Sequence, residues 1–270
     1  MRHPFRAGSL AAALALTLFA SGPVAAGLEP TEANVTYDTR HERNVLDFWK
    51  AESAKPTPVL VWFHGGGFIG GDKRGIRQSP LLKAFLSQGI SVASCNYPFR
   101  KDASCEQIMH HCARAIQFIR SKSKPWNIDP HWVGACGASA GALISEWLGY
   151  HPDLRNPRSS NPVERITSRL QVVGSHLQPM GTRSLAMRHM RKGGPPLFIY
   201  TRAPTGDRVH NPKYARMIKA RADDLGIPAQ LVGGKKNDIP PPPEGETWLS
   251  MQLKFFCKYY RWPYKPTEAK

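Results

Sequence analysis

This chain predicts an open, mostly parallel, doubly wound α/β sheet with helices on both faces and little or no cap. Three observations carry that expectation. Short unbroken apolar runs alternate with amphipathic stretches long enough for helices, the rhythm of repeated βαβ units. The pentapeptide Gly137-Ala138-Ser139-Ala140-Gly141 stands between the apolar run Trp132 to Cys136 and the helix-like stretch Ala142 to Leu148. Three consecutive glycines, Gly65 to Gly67, follow the apolar run Val59 to Phe63 after the single residue His64, where they make poor regular structure but leave backbone amides bare.

The chain opens with Arg2 and Arg6, an uncharged apolar core from Leu10 to Ala20, and the small-residue site Val24-Ala25-Ala26. That order predicts a secretory signal over residues 1–26, cleaved near Ala26, and a secreted or periplasmic protein. An apolar core of about eleven residues is too short to span a bilayer, so no integral membrane association is expected. Residues 27–270 then form one domain, within the size range of a single large core.

Within that domain, the alternation around Val35 and Tyr37 and the run Val45 to Trp49 predict two antiparallel edge strands, separated by the charged turn Arg40 to Arg43. Val59 to Phe63 has the continuous apolar character of a strand covered on both faces. A helix follows over Ser79 to Gln88, stopped by Gly89, and then a strand over Ile90 to Cys95. Ser104 with Gln107 forms a capping box, after which Ile108, Cys112, Ala115 and Ile119 recur on one helical face. Leu170 to Gly174, Pro196 to Thr201 and Ala229 to Val232 supply three further strands. Asn211 with Pro212 starts a helix that Gly226 ends, and Trp248, Met251, Phe255 and Tyr259 form the stripe of a terminal helix. About twenty residues, Leu177 to Gly194, remain where a cap would be inserted.

Composition narrows the function classes. The sequence carries 37 Lys and Arg against 20 Asp and Glu, a net charge of +17. An excess of that size favours encounter with anionic partners, yet the basic residues are dispersed and no nucleic-acid motif accompanies them, so no nucleic-acid partner is expected. Cys95, Cys105, Cys112, Cys136 and Cys257 are odd in number and lack metal-ligand spacing. No metal or other cofactor is expected, although an oxidising compartment permits one or two disulfides.

The chemistry gathers at Ser139. A serine between two glycines at a strand-to-helix junction presents its hydroxyl at the sheet's C-terminal edge, as a nucleophile requires. The pairing of His64-Gly65-Gly66-Gly67 with Gly137-Ala138-Ser139-Ala140-Gly141 resembles the α/β-hydrolase superfamily, in particular the acetyl esterase and feruloyl-esterase-like members related to hormone-sensitive lipase. The resemblance extends from about Val35 to about Tyr260 and includes Asn127-Ile128-Asp129-Pro130. It implies a serine carboxylesterase with Ser139 as nucleophile and with the amides of Gly66, Gly67 and Ala140 as the oxyanion hole. It also implies that His64 shapes the glycine loop and is not the base.

The resemblance breaks at the general base. Asp207 stands where the family places its acid, but no histidine follows His210, and the loop after Val232 offers Asn237 and Asp238 in the base's place. Three assignments stay open on the sequence: His210 as base, steadied by Asp207 or by Asp238; His176 as base; or no base, leaving a catalytically silent binding protein. A peptidase is a further reading. An uncapped cleft predicts short acyl esters, acetyl or aromatic, on a small molecule or a polysaccharide. Arg183, Arg188, Arg191 and Lys192, on the short segment expected over the cleft, predict an anionic carrier.

Overall fold

The computed structural model describes residues 27–234 and 237–266. The expected signal segment, residues 1–26, lies outside the described residues.

Eight strands form one sheet in the order β1-β2-β4-β3-β5-β6-β7-β8. In chain order these are β1 (Glu32–Thr36), β2 (Val45–Trp49), β3 (Thr57–Phe63), β4 (Ser91–Cys95), β5 (Ile128–Ala138), β6 (Val173–His176), β7 (Leu197–Tyr200) and β8 (Ala229–Val232). β1 pairs antiparallel with β2, and β2 antiparallel with β4; every later pairing is parallel. Of these first two strands only β1 is an edge, so the expectation of two edge strands there holds for β1 and fails for β2, which β4 covers on its other side.

The helices are α1 (Pro80–Ser87), α2 (Cys105–Ser121), the single turn α3 (Ser123–Trp126), α4 (Ala140–Tyr150), α5 (Pro212–Asp224) and α6 (Trp248–Tyr259). The Ser104–Gln107 capping box is closed in both directions. Asn211 caps α5 by accepting the Lys213 amide, with Pro212 at the first helical position, where its missing N–H is no loss.

Alternate residues of the strands feed two cores. Val59, Val61, Phe63, Ala135 and Ile199 pack under α2, α4 and α5; Leu60, Val92, Cys136 and Phe198 pack under α1 and α6. Helices on both faces make the sheet doubly wound, as the alternating pattern requires.

One strand begins later than its apolar run suggests. Around Gln171 the ladder is irregular: the side chain of Gln171 accepts the Val133 amide at 3.1 Å, and Arg120 donates to the carbonyl of Arg169. Regular pairing starts only where Val173 meets Ala135 and Leu197. All five cysteines are free, and among the described residues no helix is long and apolar enough to cross a membrane.

Candidate active site

Ser139 is the single residue between β5 and α4, with φ 55° and ψ −115°, a backbone conformation that L-residues occupy only under compulsion. The compulsion comes from packing. A Cβ on Gly137 would collide with the backbone of Gly141, and one on Gly141 with the carbonyl of Phe63. The flanking glycines therefore let strand and helix cross closely enough to force the turn. The Ser139 amide donates to the His176 carbonyl at 3.0 Å, fixing the turn to β6.

The glycine loop runs beside this turn. A Cβ on Gly65 would stand 3.5 Å from Cβ of Ser139 and 2.9 Å from the Ala138 carbonyl oxygen. Gly66 and Gly67 have φ of 117° and 61°, values that glycine adopts without strain. Among the described residues, the amides of Gly66, Gly67 and Ala140 donate to no protein acceptor. Ala140 also opens α4, whose N-terminal dipole favours negative charge at that end.

His64 holds the loop's shape. Its Nδ1 lies 2.7 Å from the Gly65 carbonyl and 3.2 Å from the Tyr97 hydroxyl, which donates to the His64 carbonyl at 2.6 Å. The two rings stack with centroids 4.3 Å apart. Burial holds the His64 imidazole below its ordinary pKa, hence neutral. Arg43 braces the arrangement from β2's side, donating to the carbonyls of Tyr97 and Gly71 at 2.9 and 3.1 Å. No motif marks Tyr97 or Arg43.

His210 arrives on the loop between β7 and α5, with Nε2 2.9 Å from Oγ of Ser139. Asp207, three residues earlier, faces the other ring nitrogen: Oδ2 is 3.4 Å from Nδ1. Its Oδ1 accepts the amides of Val209 and His210, each at 2.8 Å. The His210 amide, with further help from the Val209 amide and the imidazole, holds the Asp207 carboxyl below the usual carboxylate range. An ionised carboxylate favours the tautomer with hydrogen on Nδ1, leaving Nε2 free to accept the Ser139 proton. Asn211 ties off the loop, donating to the Thr205 carbonyl while it caps α5.

The other candidates fall elsewhere. His176 is buried at the end of β6, its Nε2 2.8 Å from Oε1 of Gln252 and 3.7 Å from Sγ of Cys136; burial lowers its pKa to about 4. Asp238 pairs with Arg216 on the surface. Its neighbour Asn237 occupies the stretch where the family carries its base, and its Nδ2 donates to the carbonyls of Thr201 and Ala203 at 2.9 and 3.1 Å. Asn237 thus supports the start of the loop that bears Asp207 and His210.

The basic segment only begins beside the cleft. Gly181 lies against Leu143 near the start of α4, but Arg191 donates to the Tyr150 carbonyl at the helix's far end. Arg188 is bonded to His189, whose ring packs against Trp147 and His151. α4 has 11 residues and so separates the two ends by about 16 Å. The later part of the segment runs down the flank of α4, so Arg188 and Arg191, two of the four basic residues expected over the cleft, stand away from Ser139, while Arg183 is exposed near the start of that helix. Among the described residues, no cluster of His, Cys, Asp or Glu fit to hold a metal is present.

Comparison with known proteins agrees with this fold. The BD-FAE family model matches residues 46–173. Gut esterase 1 of Caenorhabditis elegans is 28% identical over 123 residues, 42% of this chain and 22% of that protein. Esterase LipQ of Mycobacterium tuberculosis is 28% identical over 118 residues, 42% of this chain and 27% of that protein. The matched stretch therefore spans roughly a quarter of these curated relatives. Among solved structures, a truncated carbohydrate esterase from gut microbiota superposes with a TM-score of 0.73 at 17% identity, covering 87% of this chain and 99% of that one. The propionate-bound esterase Est2 of Thermogutta terrifontis gives 0.70 at 18% identity, covering 86% and 95%.

Proposed function

We propose that this chain is an esterase of the α/β-hydrolase kind, a serine carboxylic ester hydrolase acting on short, acetyl-type acyl esters. The observation that carries the reading is the 2.9 Å approach of His210 Nε2 to Ser139 Oγ, within the reach a general base needs.

In this reading Ser139 Oγ attacks the ester carbonyl carbon while its proton passes to His210 Nε2. The carbonyl oxygen becomes an anion beside the amides of Gly66, Gly67 and Ala140, and each such donor is worth about a hundredfold to a thousandfold in rate. Asp207 steadies the imidazolium. Collapse of the tetrahedral centre breaks the bond to the alcohol oxygen, which leaves with the proton from His210. Water, deprotonated by the same imidazole, then attacks the acyl-serine carbonyl and releases the acid and a free hydroxyl on Ser139.

Hydrolysis of a short-chain aryl acetate tests the assignment. Activity in the wild type that disappears in Ser139→Ala, with fluorophosphonate labelling confined to Ser139, is the expected result. Turnover that persists in Ser139→Ala removes Ser139 from the reaction. We further propose export directed by residues 1–26; cell fractionation with N-terminal sequencing should find a mature chain beginning near Gly27, and a cytoplasmic chain retaining Met1 refutes it.

A further inference from the structure

Large apolar side chains are strongly exposed at few places among the described residues: Ile69 at 76%, Met180 at 59%, Val209 at 44% and Leu28 at 38%. Single exposed hydrophobes scattered over a surface are ordinary, whereas several gathered at one place mark a binding surface. Three of these four lie on the three segments that surround Ser139. Ile69 belongs to the glycine loop, its amide bonded to the Gly66 carbonyl at 3.0 Å. Val209 immediately precedes His210. Met180 is joined to Val209 through its amide, which donates to the Val209 carbonyl at 2.7 Å. The segment carrying Met180 begins at His176, whose carbonyl holds the Ser139 amide.

Chemistry separates the two sides of this rim. When the ester breaks, the departing alcohol oxygen takes its proton from His210 Nε2, so the carbon skeleton of the alcohol emerges on the His210 side of Ser139. That side presents Val209 and Met180. Ile69 belongs instead to the glycine loop, whose amides face the carbonyl oxygen in this reading. Of the four basic residues on the segment that carries Met180, Arg188 and Arg191 are engaged at the far end of α4.

Resting on the esterase reading, the structure assigns Met180 and Val209 as an apolar ledge that binds the alcohol half of the ester, selecting an uncharged alkyl or aryl alcohol over a sugar hydroxyl. The Met180–Val209 backbone bond ties the two segments that carry these side chains together. Its flexible thioether accommodates alcohols of different shape.

The test varies the alcohol at constant acyl group. Methyl, butyl and hexyl acetate release alcohols of similar basicity, so differences in kcat/KM report contact with the alkyl chain. In the wild type kcat/KM should rise with chain length. In the double variant Met180→Ser, Val209→Ser the hexyl-to-methyl ratio should fall about tenfold, the equivalent of roughly two methylenes returned to water. Leu28→Ser, an exposed apolar residue away from Ser139, should leave the ratio as it is. An unchanged ratio in the double variant overturns the ledge, as does faster wild-type hydrolysis of acetylated xylose than of hexyl acetate. Should the wild type hydrolyse no acetate at all, the esterase reading fails, and direct binding of 2-naphthol, followed by its fluorescence, decides the ledge by itself. An affinity about tenfold weaker in the double variant supports it, and equal affinity overturns it.

Discussion

His210 Nε2 stands 2.9 Å from Ser139 Oγ although the strand that delivers it is β7, not the last strand of the sheet. Asp207 and His210 thus share one short turn, in which Asp207 accepts the backbone amides of Val209 and His210 as well as facing the ring. His210→Ala should lower kcat for aryl acetates by on the order of 10³ or more while the oxyanion donors sustain a residual rate. Asp207→Asn keeps an oxygen for the two amides but removes the charge that sets the tautomer, and should cost about 10² to 10⁴ in kcat with little change in KM. Steady-state kinetics on folded variants checks both; an unimpaired His210→Ala eliminates the relocated base.

Asn237 tests whether that turn needs support from β8's side. Its amide holds the carbonyls of Thr201 and Ala203, the first residues after β7. Asn237→Ala removes these two hydrogen bonds and the two that Oδ1 accepts from the amides of Gly234 and Ile239, and should destabilise the fold by about 1 to 3 kcal/mol. It should also lower kcat more than it raises KM, because misplacing the imidazole harms proton transfer rather than binding. Equal activity at reduced thermal stability would confine Asn237 to a structural part.

What the sequence discloses of this site follows from where its information is local. The elbow at Ser139, the glycine loop, the Ser104 and Asn211 caps and strand β8 are each written in adjacent residues, because backbone conformation and capping are near-neighbour effects. Tyr97, Arg43 and Asn237 act through side chains that reach backbone atoms distant in sequence, and no spacing betrays such contacts. Chain order alone puts Arg188 and Arg191 over the cleft, whereas packing along α4 decides the path of the segment that carries them. The start of β6 differs from its apolar run for a related reason: the run at Leu170 is real, but Gln171 takes the ladder's first amide with its side chain.

Tyr97 fixes the glycine loop by donating to the His64 carbonyl at 2.6 Å. Tyr97→Phe preserves the stacked ring and deletes this bond together with the hydroxyl's 3.2 Å contact to His64 Nδ1. Stability should fall by about 1 to 2 kcal/mol, seen as a melting temperature lower by roughly 2 to 8 °C. The rate should fall about tenfold, since a loosened loop no longer presents its amides to the oxyanion. A variant with full activity would show that the loop keeps its shape without the hydroxyl.

Glu146, buried in α4, predicts a pH dependence of stability. Its Oε1 accepts the Ser175 hydroxyl at 2.5 Å while Oε2 has no partner, and burial pushes its pKa from 4.5 up to about 8. The folded chain therefore keeps a proton that the unfolded chain releases. The contribution is fully present below pH 4.5 and is lost as pH rises to about 8, by up to about 1.4 kcal/mol for each pH unit climbed. Denaturant midpoints of the wild type should decline across that window relative to Glu146→Gln, whose amide does not titrate. Parallel profiles for the two proteins would show that Glu146 is ionised in the folded chain.

Ser139 itself is held at φ 55° and ψ −115°, and that conformation has a thermodynamic consequence separable from catalysis. A non-glycine residue kept in such a region costs about 1 to 3 kcal/mol, tolerated only because the surrounding packing dictates it. Ser139→Gly removes the Cβ responsible and should raise the melting temperature by about 2 to 8 °C, allowing for the freedom glycine gains in the unfolded chain. Ser139→Ala retains the Cβ and should melt close to the wild type. Both should be inactive towards esters. Calorimetry on the three proteins gives the answer: a glycine variant no more stable than the alanine variant means the turn carries no strain, and the presentation of Oγ then has some other source.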